Sequence, residues 1–321
     1  MRPDLAVVIV NYRTADLVVD CLRSLEAEVA AIEGTRVVVV DNRSGDGSLE
    51  RIGGAVAAEG WGGWVSVVDA RRNGGFSAGN NAGLRPLLQS PQAPAWFLLL
   101  NPDTYVHPGA LRALLDCGAR EARVGIVGSR LEDPDGTPQP SAFRFHRALT
   151  EFERELRLGL VARVLAPWAT VLAVPDTATQ VDWVSGASML VRREVFESVG
   201  LLDEGYFLYY EEVDLCLRAA RSGWTCWQEP RSRVVHLVGR STGVDPSNAV
   251  LRIPGHVFES RHRYFVKNFG LPYGVLADLA WLLGHLLWRL RVRLLGRPRG
   301  SAPGLLRAFL RQSTLRRGGL A

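Results

Sequence analysis

The sequence predicts an α/β fold built on a mostly parallel sheet, and three observations carry that prediction. Short runs rich in Val, Ile and Leu alternate with helical patterns over the first 128 residues. These runs are continuously apolar rather than alternating, as strands covered on both faces require. Each run then ends in a polar segment, where ligands of open parallel sheets collect.

The elements follow in order. Leu5 to Val10 reads as a strand and Thr14 to Ala27 as its helix; Arg36 to Val40 precedes a helix over Ser48 to Ala58; Val65 to Val68 precedes Ser77 to Leu88. Trp96 to Leu100 precedes a helix over Pro108 to Ala119, and Val124 to Val127 closes this half. Such strand and helix alternation is the pattern of crossover connections. Residues 129–180 are irregular, with five prolines (Pro134, Pro138, Pro140, Pro167, Pro175) around a helical stretch from Thr150 to Leu165. Dense signal returns over Val181 to Arg192 and Tyr206 to Arg221. The expected division is a domain over 1–252, with a nucleotide-binding half to about 128 and an acceptor half from 129, then a helical, basic extension over 253–321.

Composition narrows the function. With 47% hydrophobic and 22% charged residues, the chain is an ordinary globular one, which excludes disordered, collagenous and coiled-coil classes. Its 4 cysteines show no C-x-x-C spacing, so neither a zinc knuckle nor a disulfide framework is expected, and a reducing cytosol fits. The apolar run at the N-terminus is shorter than a signal-peptide core, so the protein is read as not exported. The net charge of +5 belongs to the C-terminus: residues 286–321 hold nine Arg and no acid, leaving −4 on the residues before them. A nucleic-acid partner is therefore not expected. Leu271 to Leu290 is rich in Leu and Trp, but Pro272, Gly274, Asp278 and His285 interrupt it as a spanning segment. A helix with interfacial Trp and closely spaced Arg fits an anionic membrane surface, against the alternative of a helix packed on the body.

The polar segments carry the chemistry. Asn11 follows the first strand and Asp41 the second, where a carboxylate accepts a hydrogen bond from a base or ribose, or simply starts a turn. Asn73-Gly74-Gly75-Phe76-Ser77-Ala78-Gly79-Asn80-Asn81 resembles a phosphate loop opening a helix, though it makes neither G-x-G-x-x-G nor a P-loop. Asn101-Pro102-Asp103 ends the most apolar strand; one carboxylate suffices for a divalent cation completed by phosphates and water, and the alternative is a turn or N-cap before the Pro108 helix. Glu211, Glu212 and Asp214 enter a helix from an aromatic run. The helix dipole alone accommodates acids there, but adjacent carboxylates among apolar neighbours acquire raised pKa values and make a general base. Asp214 and Arg218 also form an i,i+4 pair. His236 ends an apolar-flanked run.

Together these residues resemble the inverting family 2 glycosyltransferases, especially the bacterial rhamnosyltransferase-like branch. The carriers are Val8-Ile9-Val10-Asn11-Tyr12, Val40-Asp41-Asn42, Asn73 with Gly75-Phe76 and Gly79-Asn80-Asn81, Leu100-Asn101-Pro102-Asp103, Ser185-Gly186-Ala187, Phe207 with Glu211-Glu212 and Asp214-Leu215, His236, and Arg263-Tyr264 with Lys267. The resemblance implies a GT-A type fold and a donor site of Asn11, Asp41, Asn73, Gly75, Phe76, Asn80, Asn101 and Asp103. It also implies Mg²⁺ or Mn²⁺ on Asp103 and His236, and a base at Glu212, with Glu211 and Asp214 beside it. Asn101 departs from the aspartate usual at the first D-x-D-like position, and Glu211-Glu212 stands where a Glu-Asp pair is usual. The implied function is inverting transfer of a sugar, rhamnose from dTDP-rhamnose being favoured over other dTDP- or UDP-sugars. The implied acceptor is a glycan or polyprenyl-diphosphate-linked acceptor in cell-envelope polysaccharide synthesis, met by a cytoplasmic enzyme peripheral on the inner face of the plasma membrane. The alternatives are a sugar-phosphate nucleotidyltransferase, which should carry a basic Gly-rich loop after the first strand, and a noncatalytic membrane scaffold.

Overall fold

The computed structural model describes residues 5–158, 168–239, 255–296 and 304–320. They form two compact units. The first comprises Met1–Phe143, Ala173–Phe207 and Glu211–Val244; the second comprises Arg144–Leu172, Leu208–Tyr210 and Asp245–Ala321. The expected boundary at 252, the end of the helical stretch at Leu165, and Arg297 and Arg299 lie outside the described residues.

In the first unit β1 (Leu5–Asn11), β2 (Arg36–Asp41), β3 (Val65–Asp69) and β4 (Trp96–Leu100) pair in parallel in the order β3-β2-β1-β4. Helices α1 (Ala15–Ala31), α2 (Ser48–Ala58) and α3 (Gly75–Gln89) follow the first three strands, at nearly the expected places. Every residue of β1 and β4 is buried, which is why their sequences are apolar throughout. The short β5 (Thr104–Val106) and α4 (Ala110–Ala119) follow β4. The run at Val124 then extends to Glu132 as β6 (Val124–Glu132).

β6 does not lie beside β4. β10 (Ser188–Arg192) inserts between them and runs antiparallel to both. β11 (Thr225–His236) lies parallel to β6, and its outer edge takes β8 (Thr179–Val181) at its start and β5 at its end, both antiparallel. Among the described residues the result is a nine-stranded mixed sheet in which six strands share one direction. Periodicity marked Val181 to Arg192 as structured but held no information on its direction. A two-stranded ribbon of β7 (Ala142–Phe143) and β9 (Trp183–Val184) completes the sheets. Helices α6 (Arg193–Val199) and α7 (Glu211–Arg221) belong to this unit.

The second unit packs α5 (Ala148–Leu156), α8 (Gly255–Phe269), α9 (Leu271–Leu294), α10 (Leu305–Gln312) and α11 (Thr314–Arg317). Its apolar centre is Phe258, Trp281, Leu305 and Phe309, with Trp281 stacked on Phe309 at 3.8 Å between ring centroids. α9 differs from the interrupted segment expected from sequence. Pro272 sits in its first turn, where no N–H is required, and the helix runs unbroken for 24 residues, roughly 36 Å at 1.5 Å per residue. Among the described residues it is the one helix long and apolar enough to cross a membrane by length and composition. Trp281 and Trp288 are buried within this unit, so they are not the interfacial anchors the sequence implied. Asp278 is buried too, because Arg261 Nη1 donates to its Oδ1 at 2.6 Å while the backbone N–H of Thr314 donates to its Oδ2.

Candidate functional site

The parallel strands bring Asn11 and Asp41 opposite each other at their carboxyl ends. Asn11 Nδ2 donates to Asp41 Oδ1 at 2.7 Å, and Ser44 donates to the same carboxylate through its hydroxyl at 2.6 Å and its backbone N–H at 3.0 Å. Both oxygens of Asp41 therefore organise the loop after β2, and the side chain is buried. The next residue extends the cluster: Asn42 Nδ2 donates to Asn73 Oδ1 and to the Gly75 carbonyl.

The loop before α3 is held closely. Gly75 has φ +81°, and a Cβ there would lie 2.0 Å from the Phe207 carbonyl oxygen, which accepts from Phe76 N–H at 2.8 Å. Only glycine meets both conditions. Asn80 Nδ2 donates to the Phe76 carbonyl at 2.9 Å, so this residue holds the loop from within the helix. Asn81 reaches the Leu202 carbonyl and Glu204 Oε1, and Glu204 also pairs with Arg72 and Arg85.

Asn101 and Asp103 leave β4 beside the end of β11. His236 Nε2 stands 3.6 Å from Asp103 Oδ1 and 3.4 Å from Asn101 Nδ2. Of the two alternatives for Asp103, the N-cap is excluded by position, since α4 begins seven residues later and Glu28 accepts the N–H groups of Gly109 and Leu111 there, whereas the turn is present, Pro102 and Asp103 joining β4 to β5. Gln139 was invisible in the sequence, lying in a proline-rich segment without periodicity. Its Nε2 donates to the His236 carbonyl at 2.8 Å and to Asp133 Oδ1 at 2.7 Å, while its Oε1 lies 3.3 Å from His236 Nδ1. With Nδ1–H donating to Gln139, the Nε2 lone pair faces the Asp103 carboxylate. Burial pushes the His236 pKa down, against the upward pull of Asp103. Asn101 Nδ2 then donates to the same Nε2, and an imidazole nitrogen and a carboxylate oxygen stand 3.6 Å apart beside it. These two side chains fit a divalent ion that takes its remaining ligands from a diphosphate and water. Among the described residues no group of three or more His, Cys, Asp and Glu could hold a metal without such help.

Glu212 opens α7 half-buried, and a Cβ on Gly186 would lie 3.6 Å from its Cβ and 3.6 Å from the Phe76 ring. The neighbouring Ala187 carbonyl accepts from Asn101 N–H at 2.9 Å. Gly186 and Ala187 thus meet Glu212 and Asn101, respectively, at two consecutive residues. Desolvation raises the Glu212 pKa from 4.5 to about 7, and its buried Oε2 has no hydrogen-bond partner among the described residues. Such a carboxylate is poised to take a proton near neutrality. Its companions differ from it. Glu211 is buried, and Asp214 is fully buried, accepting from Arg218 Nε at 2.8 Å and from the Tyr206 hydroxyl at 3.3 Å.

A model of the family described as "Glycosyltransferase like family 2" matches residues 3–250. An N-acetylglucosaminyl-diphospho-decaprenol L-rhamnosyltransferase of Mycobacterium tuberculosis is 36% identical over 167 residues, 49% of this chain and 52% of that protein. The low-salt glycan biosynthesis hexosyltransferase Agl10 of Haloferax volcanii is 26% identical over 226 residues, 69% of this chain and 63% of that protein. The rhamnosyltransferase WbbL of Escherichia coli is 27% identical over 164 residues, 50% of this chain and 60% of that protein. The matches thus span between about half and two thirds of these relatives' length. Among solved structures, the mannosyltransferase PcManGT of Pyrobaculum calidifontis with GDP-Man and Mn²⁺ superposes with a TM-score of 0.56 at 15% identity, covering 99% of this chain and 82% of that one. GalNAc-T7 with UDP, GalNAc and Mn²⁺ gives 0.58 at 16% identity, covering 90% and 56%. These likenesses are of fold: both are glycosyltransferases of the GT-A type.

Proposed function

This chain belongs to glycosyltransferase family 2, and from that premise we propose that it transfers a sugar from a nucleotide donor to an acceptor hydroxyl with inversion. The observation that carries the reading is the carboxylate of Glu212, raised to about 7 and set beside Phe76 and Gly186, with the Ala187 carbonyl next to Gly186 bonded to Asn101, two residues before Asp103. Asp103 and His236 would hold Mg²⁺ or Mn²⁺, and that ion would neutralise the leaving diphosphate. Asn11, Asp41 and Asn73 shape the nucleoside side, and Gly75, Phe76, Asn80 and Asn101 line the approach of the diphosphate and sugar. Glu212 removes the proton of the attacking hydroxyl, and a single displacement inverts the anomeric centre. Glu211 and Asp214 support the helix that carries it, Asp214 through its bonds to Arg218 and Tyr206.

The favoured sugar is rhamnose, which the names of two relatives give, with dTDP-rhamnose as its donor, and the favoured acceptor is a polyprenyl-diphosphate-linked sugar, which the name of one of them gives. Such an acceptor places the enzyme on the inner face of the plasma membrane, with the basic C-terminal unit toward the lipid. The test is transfer from a panel of dTDP- and UDP-sugars to a short-chain polyprenyl-diphosphate glycan, with Mn²⁺ and with chelator. Metal-dependent formation of an inverted product from one donor is expected; a retained configuration or metal-independent turnover would overturn the mechanism. Release of diphosphate from a nucleoside triphosphate would instead support the nucleotidyltransferase alternative.

A further inference from the structure

α9 turns its polar side inward and its leucines outward. At about 100° per residue, its buried Ala277, Asp278, Trp281, His285, Trp288 and Val292 share one side of the helix. Leu276, Leu279, Leu283, Leu286, Leu290 and Leu294 occupy an arc of roughly 100° on the other side. These leucines are between 50% and 76% exposed. The buried polar groups are satisfied within the second unit, Asp278 by Arg261 and His285 Nδ1 against Glu155 Oε2 at 3.2 Å. The leucine face has no such partner among the described residues, and its continuous length exceeds the scattered apolar exposure ordinary for a surface.

Charge identifies the occupant. On the helical wheel the exposed Arg289 and Arg293 flank the leucine arc on one side, while Arg291 on the other donates through Nη2 to the Arg157 carbonyl at 2.8 Å. A cleft lined on α9 by the inward His285, Trp288 and Val292 as well as by Arg289 and Arg293 adds Arg307, Arg311 and Arg316, and no carboxylate lines it among the described residues. From Leu279 to the C-terminus the sequence contains no acidic residue. A second copy docked on this face would bring its own arginines and no counter-charge from this stretch. Long basic side chains flanking an apolar stripe suit a helix that lies in the headgroup region, apolar side down.

We infer that the leucine face of α9 is an in-plane bilayer face, with Arg289 and Arg293 at its edge binding the phosphates of anionic phospholipids. This specifies the face and lipid class of the membrane-surface reading above and rests on it. The helix lies along one leaflet because its other side is committed to Arg261, Glu155 and the core of the second unit.

The test uses the full chain with vesicles of phosphatidylcholine alone or mixed with phosphatidylglycerol. Sedimentation with the mixed vesicles, weakened by salt and reversed by alkaline carbonate, is expected. The double variants Leu283→Gln/Leu290→Gln and Leu276→Gln/Leu286→Gln alter only exposed positions and should each lose binding at least tenfold, while turnover with a soluble acceptor is unchanged. Arg289→Gln/Arg293→Gln should remove most of the preference for phosphatidylglycerol. Equal binding by the leucine variants, failure of the wild type to bind, or resistance to carbonate, which marks a spanning helix, would overturn the inference. So would a wild-type dimer that these variants dissociate without affecting vesicle binding. Sugar transfer is read separately, so its absence would overturn the catalytic reading and leave the vesicle result standing.

Discussion

Glu212 concentrates the chemistry in one side chain whose environment works against its charge. Replacing it with Gln keeps the shape and removes the base, so turnover should fall about 10²- to 10⁴-fold while donor affinity, read by calorimetry, stays within a factor of about three. Wild-type transfer should rise with pH on an acid limb near 7, where Glu212 ionises, and the variant should lack that limb. Stability moves the other way. A folded-state pKa raised from 4.5 to about 7 means that folding holds the proton more tightly, so the native state loses stability as pH rises through this window. Glu212→Gln should therefore be more stable than wild type above pH 7, by an amount on the order of 2 kcal/mol, discounted because the residue is only half-buried. Equal denaturation midpoints for the two proteins at pH 8 would remove that argument. The candidate base was legible from acids entering a helix out of an aromatic run. The difference between Glu212 and Asp214 was not, because it depends on Tyr206 and on which way one turn of helix faces. Gln139 gave no sequence signal at all, since its partner His236 lies 97 positions away.

Elements were legible where burial is two-sided. β1, β2 and β4 could be read because a strand with both faces covered must be apolar along its length, whereas the edge strand β3, in which only Val65 is buried, was marked by its valines alone. β10 escaped because apolar content does not record direction, and its insertion turns a parallel series into a mixed sheet. Two element junctions carry predictions. Gly75→Ala places a Cβ against the Phe207 carbonyl at a left-handed φ, so it should cost roughly 1 to 3 kcal/mol and weaken donor binding by displacing Phe76. An Ala variant with wild-type melting and affinity would show that the contact between Gly75 and Phe207 does not constrain the loop. Asp278→Ala breaks a buried pair with Arg261 and should cost about 3 to 5 kcal/mol, seen as a lowered urea midpoint. If the midpoint were unchanged, α9 would not be anchored through this pair. Hydropathy alone took Asp278 for an interruption of an apolar run. The structure shows the physical reason it is tolerated: Arg261, on the preceding helix, neutralises it inside the protein.

For the whole molecule, the sequence conveyed the class and the rim on which the candidate residues gather, because a parallel sheet fixes where its strand ends point. It conveyed less about the C-terminal helices, whose outward face depends on packing partners spread from Glu151 to Thr314. The central claim is that Asp103 and His236 converge on a cation shared with the donor diphosphate. Electron paramagnetic resonance of Mn²⁺, titrated with nucleoside diphosphate into wild type and Asp103→Asn, reads this without any acceptor. The wild type should bind the ion tightly only when the diphosphate is present, and the variant should lose at least tenfold in that affinity with its fold intact. Undiminished diphosphate-dependent binding by the variant would contradict the account.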